Sequence, residues 1–163
     1  MEIRPECPGD ERVISTLIAE AFELAEHGDG TEAQIVERLR AAGALTVSLV
    51  AEDSGELVGL AAFSPVSVDG ADVGWYGLGP VAVRPNRQGS GIGYQLIQDG
   101  LERLRHHGAA GCVVLGEPAY YARFGFRPAP RLVYPGIPPE YFQALAFGEG
   151  VPSGTVTYHP AFG

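Results

Sequence analysis

Residues 81–93 read Val-Ala-Val-Arg-Pro-Asn-Arg-Gln-Gly-Ser-Gly-Ile-Gly, which is an apolar strand followed by a glycine-rich loop. The chain then continues with apolar residues at the spacing of one helical face, which are Ile92, Leu96, Ile97, Leu101 and Leu104. Glycines in the loop leave backbone N–H groups uncovered, and the positive end of the helix dipole lies next to them. This strand, loop and helix predict a binding site for a phosphate or pyrophosphate group.

The loop differs from two common nucleotide-binding motifs. A dinucleotide fingerprint, Gly-x-Gly-x-x-Gly, would need a glycine where Tyr94 stands. A Walker loop requires a lysine, and the eleven basic residues of this chain are all arginines. The absence of lysine also excludes a pyridoxal-phosphate Schiff base. The remaining pattern is Gln/Arg-x-x-Gly-x-Gly/Ala behind a Val-x-Val strand.

A second segment with a distinctive pattern follows one helix later. Residues 112–116 have the composition of a short buried strand, and Pro118 and Gly125 suit the start and the end of a short helix. Residues 121–126 within this segment read Tyr-x-x-x-Gly-Phe. The two segments together resemble the acetyl-CoA loop and the following helix of the GNAT superfamily of N-acetyltransferases. Residues 115–126 are also similar to the YhbS-like group of small bacterial N-acetyltransferases.

The resemblance implies one GNAT domain over residues 1–163, of the α/β class. Its sheet would be mixed, mostly antiparallel and flanked by helices. The hydrophobic pattern along the chain is compatible with the order of helices and strands in such a domain. It predicts helices at residues 11–26 and 31–42, strands at 1–5, 45–51, 57–68 and 73–83, and a closing antiparallel pair of strands at 141–147 and 155–159.

Size and composition are those of an ordinary globular protein. The 163 residues can bury a core, with 45% hydrophobic and 19% charged residues. No apolar run approaches the roughly 20 residues that span a bilayer, and the N-terminus lacks the pattern of a signal peptide. We therefore expect a cytoplasmic monomer or homodimer without a membrane partner. Its two cysteines match no metal or redox spacing, so we expect no metal.

Charge is unevenly distributed along the chain. The net charge of −9 argues against a nucleic-acid partner. Up to and including Glu37 there are ten acidic residues and two arginines, whereas seven of the eleven arginines lie between Arg84 and Arg131. The second region would suit the phosphates of a cofactor, and the first a cationic amine. The alternative is that both regions are solvated surfaces.

The resemblance also implies which residues bind acetyl-CoA. In this family the pantetheine arm lies beside the strand that precedes the glycine loop. The N–H of Val81 would meet the acetyl oxygen, and Val83 would pair with the pantetheine. The implied cofactor-binding residues are Val81, Ala82, Val83, Arg87, Gln88, Gly89, Ser90, Gly91, Ile92, Gly93 and Tyr94. Arg84 is a further phosphate partner or, equally, a solvated arginine at the end of the strand.

Tyr121 is the predicted general acid. An ordinary tyrosine with a pKa near 10 is protonated at neutral pH and can donate to a thiolate. The alternative is an aromatic residue that only closes the cleft. Tyr120 is its closest competitor, but helical spacing turns the two side chains roughly 100° apart.

The sequence offers several candidates for the general base. Some family members carry a glutamate four residues before the position of Val81, where this chain has Gly77. Glu117 is the leading substitute. Glu20, Glu23, Asp72 and a chain of water molecules are the alternatives.

These observations predict an acetyl-CoA-dependent N-acetyltransferase. The acetyl group would pass to a primary amine, on a small molecule or a peptide, by direct attack in a ternary complex. The alternative is a protein that is not an enzyme, namely a non-catalytic acyl-CoA-binding or sensing domain. A third interpretation is an acyltransferase that uses a longer acyl chain or an oxygen acceptor.

Overall fold

The structure, a computed structural model, describes residues 1–23 and 30–163. The helices are α1 (Glu11–Glu23), α2 (Glu32–Ala41), α3 (Ile92–His107) and the short α4 (Pro118–Tyr121). The strands are β1 (Glu2–Pro5), β2 (Val47–Asp53), β3 (Glu56–Val68), β4 (Ala71–Val83), β5 (Gly111–Leu115), β6 (Arg127–Pro128), β7 (Leu132–Val133), β8 (Phe142–Ala146) and β9 (Gly154–Tyr158). None of the described helices is long and apolar enough to cross a membrane.

The strands form a sheet in the order β1-β2-β3-β4-β5-β8-β6. Within this order, β4 and β5 are parallel and the other neighbours are antiparallel. The β2–β3 and β3–β4 turns each have two residues with positive φ, Ser54 and Gly55 in one and Asp69 and Gly70 in the other. Positive φ at both central positions is what a type I′ hairpin turn requires. The predicted mixed, mostly antiparallel sheet is confirmed.

Helices cover both faces of the sheet because its strands alternate their side chains. Leu49 and Ala51 of β2 pack with α3 in one core cluster, whereas Val50 between them packs with α1 and α2 in another. A strand directs successive side chains to opposite faces, so α3 lies on one side and the α1–α2 pair on the other. Gly59 permits close contact with α3, since a Cβ there would lie 2.9 Å from Ile92 Cγ2.

The predicted helices and early strands lie close to their expected positions. The first predicted helix is confirmed over Glu11–Glu23. Its expected continuation to residue 26 lies outside the described residues.

Both predicted closing strands are present, as β8 and β9, but their predicted antiparallel pairing with each other is wrong. Strand β8 pairs with β5 and β6, whereas β9 pairs with β3 and β7. The reason is the unequal length of β2 and β3, with 7 and 13 residues. The pairing of β2 on β3 ends at Phe63, which leaves the edge of β3 near Val66–Val68 free to pair with β9. Strand β8 instead covers the edge of β5 that faces away from β4.

Candidate active site

Strands β4 and β5 separate before either reaches the glycine loop. Their parallel register runs from Trp75 opposite Gly111 to Leu78 opposite Val114. Beyond this point β4 continues for five residues to Val83, whereas β5 ends after one more, Leu115. We call the resulting opening the β4–β5 gap. It exposes one edge of β4 just before the loop.

The backbone of β4 presents hydrogen-bonding groups to this gap. The N–H of Arg84 donates to the carbonyl of Val58 in β3 at 2.9 Å. Because alternate residues of a strand direct their N–H and C=O groups to opposite sides, Ala82 also faces β3, and Val81 and Val83 face the gap. The side chain of Gln88 donates to the Val83 carbonyl from the same side at 3.1 Å. An extended amide chain could therefore add to β4 here as an extra strand.

The glycine loop forms a cavity of about 290 Å³ at one end of the gap. The loop contains a 3₁₀ turn at Pro85–Arg87, and Gly89 and Gly91 have φ of +80° and +86°. Gly91 is the N-cap of α3, so the N-terminal N–H groups of a 16-residue helix lie at the cavity. The residues that line it are Val83, Arg87, Gln88, Gly89, Gly91, Ile92, Gly93, Tyr94, Tyr120 and Arg123. We call this the glycine-loop cavity.

Three predicted cofactor residues, Val81, Ala82 and Ser90, do not line this cavity, and Val81 lines the second cavity described below. The side chain of Ala82 is buried with the α1–α2 core cluster, on the opposite face of the sheet. Ser90 donates its hydroxyl to the Arg87 carbonyl at 2.6 Å and so holds the loop turn together.

The arginines around the loop have different partners. Arg87 lines the cavity and also donates to Asp53 at 2.6 Å, which holds the pKa of that carboxyl below its usual value. Arg84 instead bonds Glu20 of α1 at 2.5 Å and the Leu57 carbonyl at 2.7 Å, so it ties α1 to the sheet. Sequence analysis missed Arg123, which lines the cavity with its guanidinium 4.6 Å from the centre of the Tyr120 ring.

A second cavity, of about 480 Å³, lies at the other end of the gap. Residues 78–81 of β4, Leu115 of β5 and Tyr121 of α4 form its inner side. The outer side comes from the helical layer and the C-terminal segments, through Phe22, Glu32, Ile35, Tyr134, Tyr158 and Phe162. We call this the tyrosine cavity. Val81 lines it and Val83 lines the glycine-loop cavity, so one strand edge connects the two.

Tyr121 and Tyr120 point to different cavities. Tyr121 lines the tyrosine cavity, whereas Tyr120 lines the glycine-loop cavity and would lie 3.5 Å from a Cβ at Gly93. Burial raises the pKa of Tyr121 to about 12, with smaller contributions from Tyr120 and Cys112. The phenol therefore carries its proton at neutral pH. Gly116 leaves room for the ring, because a Cβ there would collide with Tyr121 Cε2.

Glu117 lies apart from both cavities. Its side chain is exposed and is absent from the described residues that line them. Its backbone carbonyl accepts from the N–H groups of Tyr120 and Tyr121, each at 3.1 Å, so the residue begins α4. Its predicted role as general base stays a prediction.

The other predicted bases also lie outside the tyrosine cavity. Glu20 is paired with Arg84, and Glu23 lines a separate cavity between α1 and α2. Asp72 accepts from the N–H of Gly74 at 3.0 Å in the β3–β4 hairpin. The carboxylate that does line the tyrosine cavity is Glu32, the first residue of α2. Sequence analysis missed it because nothing in its local pattern distinguishes it from a solvated helix start.

Comparison with known proteins agrees with this geometry. The model of the acetyltransferase (GNAT) family matches residues 12–126. The chain belongs to the GNAT acetyltransferase family. It is 40% identical to the uncharacterized N-acetyltransferase YhbS of Escherichia coli K12 over 171 aligned residues, covering 99% of this chain and 98% of YhbS.

Solved structures of GNAT proteins resemble the whole chain. A GNAT acetyltransferase from Brucella melitensis, crystallised with acetyl-CoA, is 51% identical with a TM-score of 0.90 over 99% of this chain and 97% of that one. The crystal structure of E. coli YhbS with CoA is 40% identical with a TM-score of 0.89, over 99% of this chain and 91% of that one. The GNAT fold expected from the two sequence segments is therefore confirmed.

Proposed function

We propose that this GNAT protein transfers the acetyl group of acetyl-CoA to a primary amine, by direct attack of the amine in a ternary complex. The observation that carries the proposal is the exposed edge of β4. Val81 and Val83 direct backbone groups into the β4–β5 gap, between a cavity at a helix N-terminus and a cavity that contains a protonated phenol. An extended thioester that lay along this edge would reach both cavities.

The glycine-loop cavity suits the phosphates of acetyl-CoA. Backbone N–H groups at a helix start attract anions, and Gly89 and Gly91 keep them uncovered. Arg87 and Arg123 add positive charge at the same cavity. The pantetheine amides would pair with Val83, which places the thioester near Val81. The acetyl-CoA and CoA complexes of the two relatives support this assignment.

The tyrosine cavity suits the chemistry of acyl transfer. The neutral amine attacks the thioester carbonyl, and the N–H of Val81 would stabilise the oxyanion that forms. When the C–S bond breaks, Tyr121 would protonate the departing thiolate, and the phenol would regain a proton from the nitrogen or from water. One further proton from the original ammonium leaves to solvent. The products are the amide and free CoA.

The acceptor is proposed to be cationic in its free form and to approach from the side of α1 and α2. Phe22 and Glu32 place these helices at the tyrosine cavity. Glu20 adds less to the local field than the sequence suggests, because Arg84 neutralises it. Glu117 would act only through water, because its carboxylate is exposed outside both cavities.

Release of free thiol from acetyl-CoA, measured with and without a panel of primary amines, tests the proposal. We expect amine-dependent thiol release and an acetylated amine of the corresponding mass. The opposite result is CoA binding measurable by calorimetry without thiol release for any amine. It would identify a non-catalytic acyl-CoA-binding domain instead.

A further inference from the structure

The outer side of the tyrosine cavity is aromatic. Five of its described lining residues carry rings, which are Phe22, Tyr121, Tyr134, Tyr158 and Phe162. Tyr158 contacts two of the others edge to face, with ring centres 5.5 Å from Tyr134 and 5.1 Å from Phe162. Such a surface favours a flat apolar group and, through the ring faces, an attached cation.

Two of the residues that line this cavity carry polar groups that matter for the acceptor. The hydroxyl of Tyr158 is buried and has no hydrogen-bond partner within residues 1–23 and 30–163. A buried hydroxyl without a partner is costly to the free protein. Glu32 is the second group. Among the described residues it is the one charged side chain that lines the cavity.

The position of Glu32 suits a carboxylate that meets an ammonium. It is the first residue of α2, where the helix dipole favours negative charge. It lines the same cavity as Val81, whose N–H faces the gap where the acetyl group would lie. The alternative position for a carboxylate, Gly77, is blocked. A Cβ there would lie 2.7 Å from Tyr158 Cε2 and 3.1 Å from Val66 Cγ1.

We propose that the acceptor is a small arylalkylamine, an ammonium on an aromatic body, and that Glu32 binds this ammonium and removes its first proton. This inference rests on the proposed acetyl transfer. The N–H bond breaks toward a Glu32 oxygen, and the freed lone pair attacks the thioester carbon. Glu32 then returns its proton to solvent. The rings of Tyr134, Tyr158 and Phe162 hold the aromatic body.

Three amines separate these features. 2-Phenylethylamine carries an ammonium and a ring, methylamine carries only the ammonium, and aniline carries a ring with an amine that is neutral at pH 7. We expect wild-type kcat/KM for 2-phenylethylamine to exceed that for methylamine by about ten-fold or more, as aromatic and cation contacts predict. Equal values, or a preference for methylamine, would overturn the aromatic part of the inference.

Glu32→Gln tests the carboxylate. It should lower kcat/KM for 2-phenylethylamine by roughly 10²-fold, typical of a lost general base, and leave that for aniline unchanged. Glu37→Gln is the matched control, since Glu37 lies on the same helix, is exposed and bonds Ser15 at 2.8 Å. An equal fall for both amines, or no fall, would refute the role of Glu32.

The proposed function can fail separately from this inference. A wild-type protein that binds acetyl-CoA and acetylates no amine refutes both. A wild-type protein that acetylates methylamine or a polyamine but not 2-phenylethylamine refutes only the acceptor class. Phe162→Ala is a second variant that leaves Glu32 in place. It should reduce the preference for 2-phenylethylamine over methylamine, with unchanged CoA affinity.

Discussion

Removing the hydroxyl of Tyr158 should stabilise the free protein. The hydroxyl is buried and has no partner among the residues that the structure describes, while the ring packs on Tyr134 and Phe162. A buried polar group without a hydrogen bond costs about 1–3 kcal/mol. Tyr158→Phe keeps the ring and removes that cost. We expect a gain near the lower end, about 1 kcal/mol, or about 2–4 °C in Tm for a chain of this size.

The gain should increase at alkaline pH. Burial raises the pKa of Tyr158 well above its usual value, so the folded protein keeps a proton that the unfolded chain loses near pH 10. This contribution to stability is complete below the unfolded pKa and is lost as pH rises toward the folded pKa. Above about pH 10 the wild type should therefore lose up to about 1.4 kcal/mol per pH unit through this residue. The variant would not.

Urea unfolding followed by fluorescence, near pH 7 and again near pH 10.5, measures both effects. Tyr141→Phe is the control, because the Tyr141 side chain is 42% exposed and should change stability little at either pH. A Tyr158→Phe protein that is less stable than the wild type at pH 7 would show that the hydroxyl has a partner. A difference that stays constant with pH would contradict the burial argument.

Five further substitutions, in three tests, examine the site and its surroundings. Tyr121→Phe should lower turnover by roughly 10²–10⁴-fold with CoA affinity retained, whereas Tyr120→Phe should leave turnover largely intact. Steady-state kinetics of both variants would show which tyrosine is the general acid. Gly91→Glu should weaken CoA binding, measured by calorimetry, more than Gly91→Ala does. Both substitutions strain the same positive φ, but only glutamate brings a negative charge close to the phosphates. Gly77→Glu should destabilise the protein by about 1–3 kcal/mol in urea unfolding, because its side chain would collide with a packed ring, and unchanged stability would contradict that geometry.

The placement of the glycine loop, the β4 edge and Tyr121 in the fold could be predicted from the sequence because these segments are local in the chain. Val81, Val83 and the glycines lie within one strand, loop and helix start, and Tyr121 follows in the next such unit. Hydrophobic periodicity and glycine positions therefore define the geometry before any long-range contact is known. The side chain of Ala82 faces the other side of the sheet for the same reason, since strand residues alternate.

Long-range pairing could not be predicted in the same way. Residues 141–147 and 155–159 have strand composition, and a hairpin is the simplest pairing for two neighbouring strands. The actual partner of β9 depends on where β2 ends along β3, which leaves Val66–Val68 unpaired on that side. A difference in strand length elsewhere in the chain therefore decides the topology. The local sequence of β8 and β9 does not reveal this difference in length.

The tyrosine cavity is built from segments that are distant in the sequence, and a contact between two of them explains why position 77 is a glycine. Gly77 occupies the position where some family members carry a catalytic glutamate, and from sequence alone it indicates only a missing base. In the structure Tyr158, 81 residues later, fills the space that a side chain at Gly77 would need. A ring there provides an apolar wall for the acceptor but excludes a carboxylate on β4. The negative charge at the tyrosine cavity then comes from the opposite layer, through Glu32 on α2. The Tyr158 ring and a carboxylate at position 77 thus exclude each other, and the acceptor should be sought among amines that use both the aromatic lining and Glu32.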